Sequence, residues 1–424
     1  MPSPPVIAQP LSHPPPPIAT VVERPPPVYE LSQDHEDFRR TVRDFAEGEI
    51  APHVAEWDRE HHFPAHLIPK MGELGLFGLV VPEEFGGHKS ADGEGGEFTY
   101  LCVAIEELGR VDQSMGITLE AGVGLGINPI LTFGSQEQKE RWLPDLAAGR
   151  TLAGFGLTEP DAGSDAGGTK TRAVLEGGEW VVNGAKSFIT NSGTEITSVV
   201  TATARTGTRE DGKPEISAIM IPSGTPGFEV APPYHKLGWN ISDTHGLSFS
   251  DVRVPESNLL GARGKGFGQF LATLDDGRIA IAALAVGCIA RMLEECIAYS
   301  TSRLAFGRPI AVNQGVSFQI ADLAVMLENA RLLTYKAAWL KDEMDAGRRS
   351  LAEVKQAASI AKLYTSEAAV TSTRMATQIF GGNGFMEEYP VARFYRDSKI
   401  LEIGEGTSEV QRMLIGRGLG LPTA

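Results

Sequence analysis

One carboxylate, Glu405, stands between Gly404 and Gly406 in "KILEIGEGTSEVQR" (399–412), after an apolar strip and before a Thr-Ser pair. Glycine permits left-handed backbone angles and close approach. Such a turn can aim a general base into a closed pocket, and it can equally carry a solvated loop acid. Other stretches hold groups suited to a flat, phosphate-bearing ligand. "LTEPDAGSD" (157–165) offers backbone N–H groups and hydroxyls for a phosphate or the polar edge of a ring, or is a plain loop between strands. "NGAKSFITN" (183–191) sets Phe188, Ile189 and Thr190 in succession, an aromatic to stack on a heterocycle and a hydroxyl for its edge; otherwise it is a half-buried strand. In "LDDGRIAIA" (274–282), Asp275 and Arg278 are three apart and share a helical face, the ordinary spacing of an ion pair. "RLAFGRPI" (303–310) places Arg303 and Phe306 on one face before a break at Gly307 and Pro309, with Gln314 following. "QIFGGNGF" (378–385) sets three glycines in four positions, which allows a ligand close to the backbone.

The elements that must position these groups fall into three zones. Residues 31–150 carry apolar residues at three- and four-residue steps, as with Phe38, Val42, Phe45 and Ala46, and Ser32 or Asp34 is placed to cap the first helix. Residues 151–262 form short runs rich in Val, Ile, Thr and aromatics, with Asn183-Gly184 as a turn pair between two of them, which predicts an antiparallel barrel or sandwich. Residues 263–424 return to long alanine- and leucine-rich helices expected to pack antiparallel. The fold class is therefore α+β. Residues 1–30 are too proline-rich to pack and read as a disordered tail.

Composition narrows the function. The chain has 424 residues, 42% apolar and 22% charged, a globular balance. Its net charge of −16 and pI near 5.1 oppose nucleic-acid binding. Cys102, Cys288 and Cys296 lack metal-ligand spacing and read as buried thiols. The run "IAIAALAVGCIA" (279–290) is too short to span a bilayer and reads as a core helix. With no recognisable targeting peptide, a cytoplasmic protein is expected.

Taken in order, "VPEEFGG", "EQKERWLPDLAAGR", "LTEPDAGSD", "NGAKSFITN", "LDDGRIAIA", "RLAFGRPI", "QIFGGNGF" and "EIGEGTSEVQR" closely resemble the motifs of the acyl-CoA dehydrogenases over about residues 30–418. The resemblance implies an N-terminal helical domain, a central β domain and a C-terminal four-helix bundle that assembles a homotetramer. It implies FAD as cofactor, an acyl-CoA substrate and an electron-transfer flavoprotein as partner. Phe155, Leu157, Thr158, Gly163, Ser164, Phe188, Ile189 and Thr190 match flavin-binding positions. Arg303, Phe306, Gln314, Gln378, Phe380, Gly381 and Gly382 match residues reaching the FAD of a neighbouring subunit, and Thr407 and Glu409 match further FAD contacts. Ser164, Asp275, Arg278, Gly406 and Arg417 match substrate-side positions. Glu405 matches the base that removes the proton next to the thioester, with its own backbone N–H helping to polarise the carbonyl. Many relatives carry Tyr where this chain has Gly404. A minority branch puts its base at the position of Gly277, which here cannot serve. The rival readings are an acyl-CoA oxidase, a flavin hydroxylase and a DNA-associated stress protein of the same fold.

Overall fold

The computed structural model describes residues 31–89 and 97–422. The proline-rich tail and most of the glycine-rich segment at 88–97 lie outside the described residues.

Ser32 starts helix α1 (Gln33–Phe45) by accepting a hydrogen bond from the His35 N–H, so of the two expected caps it is the serine that acts. Short helices α2 (Val54–Glu60) and α3 (Leu67–Glu73) follow, then α4 (Glu97–Val111), α5 (Gln113–Glu120), α6 (Asn128–Phe133) and α7 (Gln136–Ala147). Asp112 caps α5, and Ser135 caps α7 in a reciprocal box with Gln138. Between α5 and α6 the chain widens into a π-helical stretch, Ala121–Ile127. The continuous stretch Gln113–Phe133 is long and apolar enough to cross a bilayer by composition, which the sequence reading did not flag. Here 72% of its most apolar window is buried inside the fold.

The central strands are β1 (Leu152–Gly156), β2 (Arg172–Glu176), β3 (Glu179–Thr190), β4 (Thr197–Thr208), β5 (Pro214–Pro222), β6 (Phe228–Val230), β7 (Thr244–Pro255) and β8 (Leu259–Leu260). They hydrogen-bond in the order β6-β7-β3-β2-β4-β5-β8, with β1 added to β4. The sheet is mixed rather than wholly antiparallel. β1 runs parallel to β4, because the β2–β3 hairpin intervenes between them and returns the chain to the same end. Asn183-Gly184 is not the expected turn. β3 runs straight through it, and the slip against β7 between Val182 and Gly184 makes a bulge. The β2–β3 hairpin turns instead at Gly177-Gly178, whose φ angles of +62° and +87° suit a two-residue loop.

The third zone holds α8 (Gly266–Ser302), a small hairpin of β9 (Leu304–Ala305) and β10 (Arg308–Pro309), then α9 (Gln314–Asp345), α10 (Leu351–Phe380), α11 (Pro390–Ser398) and α12 (Ser408–Gly418). α8 packs against α4, α9 and α10. Ile279 to Ala290 is buried on every side, as a helix that is apolar all round must be. Gly287 permits the α4 contact: a Cβ there would stand 2.3 Å from the Glu106 carbonyl oxygen. One continuous core joins the helices of the first and third zones, and a second lies within the sheet around Trp180, Val200 and Phe249. All three cysteines are buried and free.

A polar knot ties α1, α4 and α9 inside the larger core. Glu106 and Glu107 are buried on α4. Arg39 reaches both at 3.1 Å, Arg43 holds Glu107 at 2.8 Å, Arg331 holds Glu106 at 2.9 Å, and the Tyr335 hydroxyl donates to Glu106. Burial pushes the Glu106 carboxyl up, but Arg39 and Arg331 hold it below its ordinary value.

Candidate active site

The turn before α12 carries the central acid. Its left-handed residue is Glu405 itself, with φ of +52°, followed by Gly406 at +91°; Gly404 does not take a positive φ. A non-glycine residue in this region is strained and persists only where its surroundings fix it. Here Lys362 Nζ donates to the Gly406 carbonyl at 2.8 Å. Gln411 Nε2 donates to the same oxygen at 3.0 Å and to the Glu405 carbonyl at 3.3 Å. Thr407 caps α12 by accepting from the Val410 N–H. The turn is thus held from α10 and α12 together.

That strain aims the Glu405 side chain inward. Its Oε2 atom is buried and meets no hydrogen-bond donor among the described residues, although the residue as a whole keeps partial exposure. The carboxylate lies against α8 at Gly277, where a Cβ would stand 2.0 Å from Oε2. A side chain at 277 and this carboxylate therefore exclude one another. Burial raises the Glu405 pKa to about 7, even though Glu120, Lys362 and Arg278 all favour its charged form. Glu120, at the end of α5, is wholly buried, and its carboxyl reaches Glu405. Burial and Glu405 push Glu120 well above the ordinary carboxylate range. Lys362 is wholly buried too, and burial brings its ammonium down to about 8. Asp275 and Arg278 form the expected pair on α8, and Lys355 reaches Asp275 at 3.1 Å.

Glu120, Lys362 and Gln411 escaped the sequence reading. The first two left a signal: each is a single charge in an apolar run, "MGITLEAGVGLGI" and "AASIAKLY". Charges in such positions are rarely buried without a partner or a task.

A second cluster lies on the sheet. Phe155 and Leu157 are buried at the end of β1, Phe155 stacking on Phe270 with centroids 4.0 Å apart. The loop after them is anchored from below by Glu159, which meets the buried Lys186 Nζ at 2.7 Å. Burial brings Lys186 down to about 8. Against its own burial, Glu159 is held down to about 2 by Lys186, Thr169 and the Lys170 N–H. The Thr158 carbonyl accepts from the Ser187 N–H at 2.9 Å, joining the loop to β3, while Gly163 and Ser164 stay exposed. One residue on, the register of β3 slips against β7 between Lys186 and Ile189. The slip turns Phe188 outward, with φ of +63° and 65% exposure, while Ile189 is buried and Thr190 half-buried beside it. An exposed aromatic face beside open hydroxyls and an unobstructed Gly163 suits a planar heterocycle.

The third group lies on the outside. The helix expected through Phe306 stops at Ser302, and Arg303 leads into the β9–β10 hairpin, with Phe306 at its tip, φ of +52° and fully exposed. Proline at 309 and the turn at Phe306-Gly307 favour extended pairing over another helical turn. Arg303, Gln314, Gln378, Gly381 and Gly382 are exposed, and Phe380 is buried against Tyr299. Among the described residues no hydrogen bond, ion pair or ring contact joins this group to the Phe188 platform or to Glu405. Glu409 and Arg417 are exposed on α12.

The chain matches the acyl-CoA dehydrogenase N-terminal domain over residues 32–150, the middle domain over 154–252 and the C-terminal domain over 264–420. It is 47% identical to a probable acyl-CoA dehydrogenase, YngJ, of Bacillus subtilis, over 92% of this chain and 99% of that one. It is 42% identical to the human mitochondrial short-chain specific acyl-CoA dehydrogenase, covering 91% of this chain and 90% of the other. Among solved structures, butyryl-CoA dehydrogenase from Megasphaera elsdenii is similar at a TM-score of 0.86 and 41% identity, over 92% of this chain and 99% of that one.

Proposed function

Because this chain belongs to the acyl-CoA dehydrogenase family, oxidoreductases acting on CH–CH groups, we propose that it oxidises a short-chain acyl-CoA to the trans-2-enoyl-CoA, with Glu405 as the base and FAD as the cofactor. The observation that carries this reading is the burial of the Glu405 Oε2 atom against Gly277. The chemistry that FAD would supply, when bound, is that of a hydride acceptor for the β-carbon. The chain's own residues do the rest. Glu405, raised toward neutrality by its dry surroundings, takes the α-proton. Lys362 and Gln411 fix the backbone of the turn that carries its carboxylate. As the family resemblance implies, the Glu405 backbone N–H in this left-handed turn would help to polarise the thioester carbonyl.

Phe155, Leu157, Thr158, Gly163, Ser164, Phe188, Ile189 and Thr190 would hold the flavin, with Thr407 and Glu409 as further contacts to the cofactor. Asp275, Arg278, Gly406 and Arg417 would face the substrate. Arg303, Phe306, Gln314 and the Gln378–Gly382 stretch would serve the flavin of a neighbouring subunit, which accounts for the exposure of Arg303, Phe306, Gln314, Gln378, Gly381 and Gly382 in one chain. A self-associating surface supports this. On α9, Phe318, Val325 and Leu332 recur every seven residues at 62%, 60% and 56% exposure, a stripe apolar enough to be covered by further copies in a homotetramer. Short acyl chains are carried over from the similar short-chain and butyryl-CoA enzymes, an electron-transfer flavoprotein as acceptor from the family resemblance, and a cytoplasmic location accords with the Bacillus relative. The test is anaerobic titration of the FAD-loaded protein with butyryl-, octanoyl-, isovaleryl- and glutaryl-CoA. Butyryl-CoA should bleach the flavin most readily. Bleaching by none of them would refute the reading.

A further inference from the structure

The family reading gives Glu120 no task, yet it is the acid most in need of one. Neither of its carboxyl oxygens meets a hydrogen-bond donor among the described residues, and the residue is wholly buried. Its side chain runs along its own helix, with room made by Gly124, where a Cβ would stand 2.9 Å from Oε1. The polar group within its reach is the Glu405 carboxyl, whose Oε2 is equally without a donor.

Two carboxyls within interacting reach of one another in a site this dry resist ionising together, so one keeps a proton. The surroundings decide which. Glu405 faces Lys362 from α10 and Arg278 from α8, and both favour its charged form. Arg278 is partly engaged by Asp275, and Lys362 also feels Glu402 and Glu409. No cation acts on Glu120 among the described residues.

We propose that Glu120 is a positioning residue for the base, keeping its proton in the resting enzyme and donating it in a hydrogen bond to the Glu405 carboxylate. This rests on Glu405 being the base. The bond satisfies two otherwise orphaned carboxyls, holds Glu405 against Gly277 and favours its ionised form. The resting pair then carries one proton and one negative charge. Taking the substrate's α-proton leaves two protons and no charge, a change the dry site favours.

The test uses the full-length FAD-loaded protein and three variants, Glu120→Leu, Glu120→Gln and Glu405→Gln. The rate of anaerobic flavin bleaching by butyryl-CoA is followed against pH, and the carboxylic-acid C=O band that Glu120 contributes is read from the wild-type-minus-Glu120→Gln infrared difference spectrum at about pH 9, where Glu405 and the other acids raised to about 6 or 7 are ionised. Glu120→Leu removes the donor, so the acidic limb of the rate profile should move up by about one pH unit. Glu120→Gln still donates and should keep the limb near its wild-type position, while losing the infrared band. A limb that stays put or moves down in Glu120→Leu, or a band that survives Glu120→Gln, overturns the proposal. Should Glu120→Leu fail to retain flavin, the infrared result with Glu120→Gln decides. Wild-type bleaching by Glu405→Gln would instead remove the base assignment itself.

Discussion

Glu106 and Glu107 on α4 and Glu120 on α5 are all buried, and they sit in consecutive helices of the same core. The first two are met by Arg39, Arg43, Arg331 and the Tyr335 hydroxyl. Glu120 is met by another acid and, among the described residues, by no cation. The difference separates two uses of a buried charge. Where a carboxylate is saturated by guanidinium groups from other helices, it fixes how those helices pack. Where it is left facing a second carboxyl, its protonation state stays sensitive to small changes, which suits proton transfer. The Glu159–Lys186 pair belongs to the first kind, because it locks the 157–165 loop to β3.

The comparison can be broken in a graded series. Glu405→Gln should slow flavin reduction by about 10²–10⁴-fold while the flavin stays bound, as measured by anaerobic stopped flow. Arg39→Met leaves Glu106 and Glu107 short of a cation and should cost about 3–5 kcal/mol in denaturant unfolding. By contrast, Glu120→Leu removes no ion pair and should leave stability within about 1 kcal/mol of wild type, or raise it. A large loss there would place Glu120 with the packing charges. Gly277→Ala puts a methyl where the Glu405 carboxylate lies, so the base must move. About a 10²-fold fall in bleaching rate with unchanged flavin content is expected. The smallest effect concerns pH. A base raised to about 7 is ionised above that value and protonated below it, so kcat/KM should rise through pH 7 and fall away on the acid side.

Much of this was legible beforehand. Ser32 announced the first helix, Ala- and Leu-rich runs announced the last ones, and Glu405 stood out because an acid between glycines after an apolar strip is chemically odd. The misreadings share a cause. Asn183-Gly184 looks like a hairpin turn locally, but pairing with β7 carries β3 through it as a bulge. "RLAFGRPI" looks like a helix end with a shared face, but its proline and glycine close a small hairpin instead. Local propensity is a weak force beside a full ladder of cross-strand hydrogen bonds.

By itself the sequence determined the three zones, the family and the identity of the acid at 405, because these depend on residue types in fixed order along the chain. Only the tertiary structure decided that Glu405 takes the strained angle itself, that Lys362 and Gln411 hold it there, and that Glu120 arrives opposite from 285 residues away in the chain. Such meetings follow from helices packing into one core, and no local pattern encodes the distance between two residues that the fold brings together.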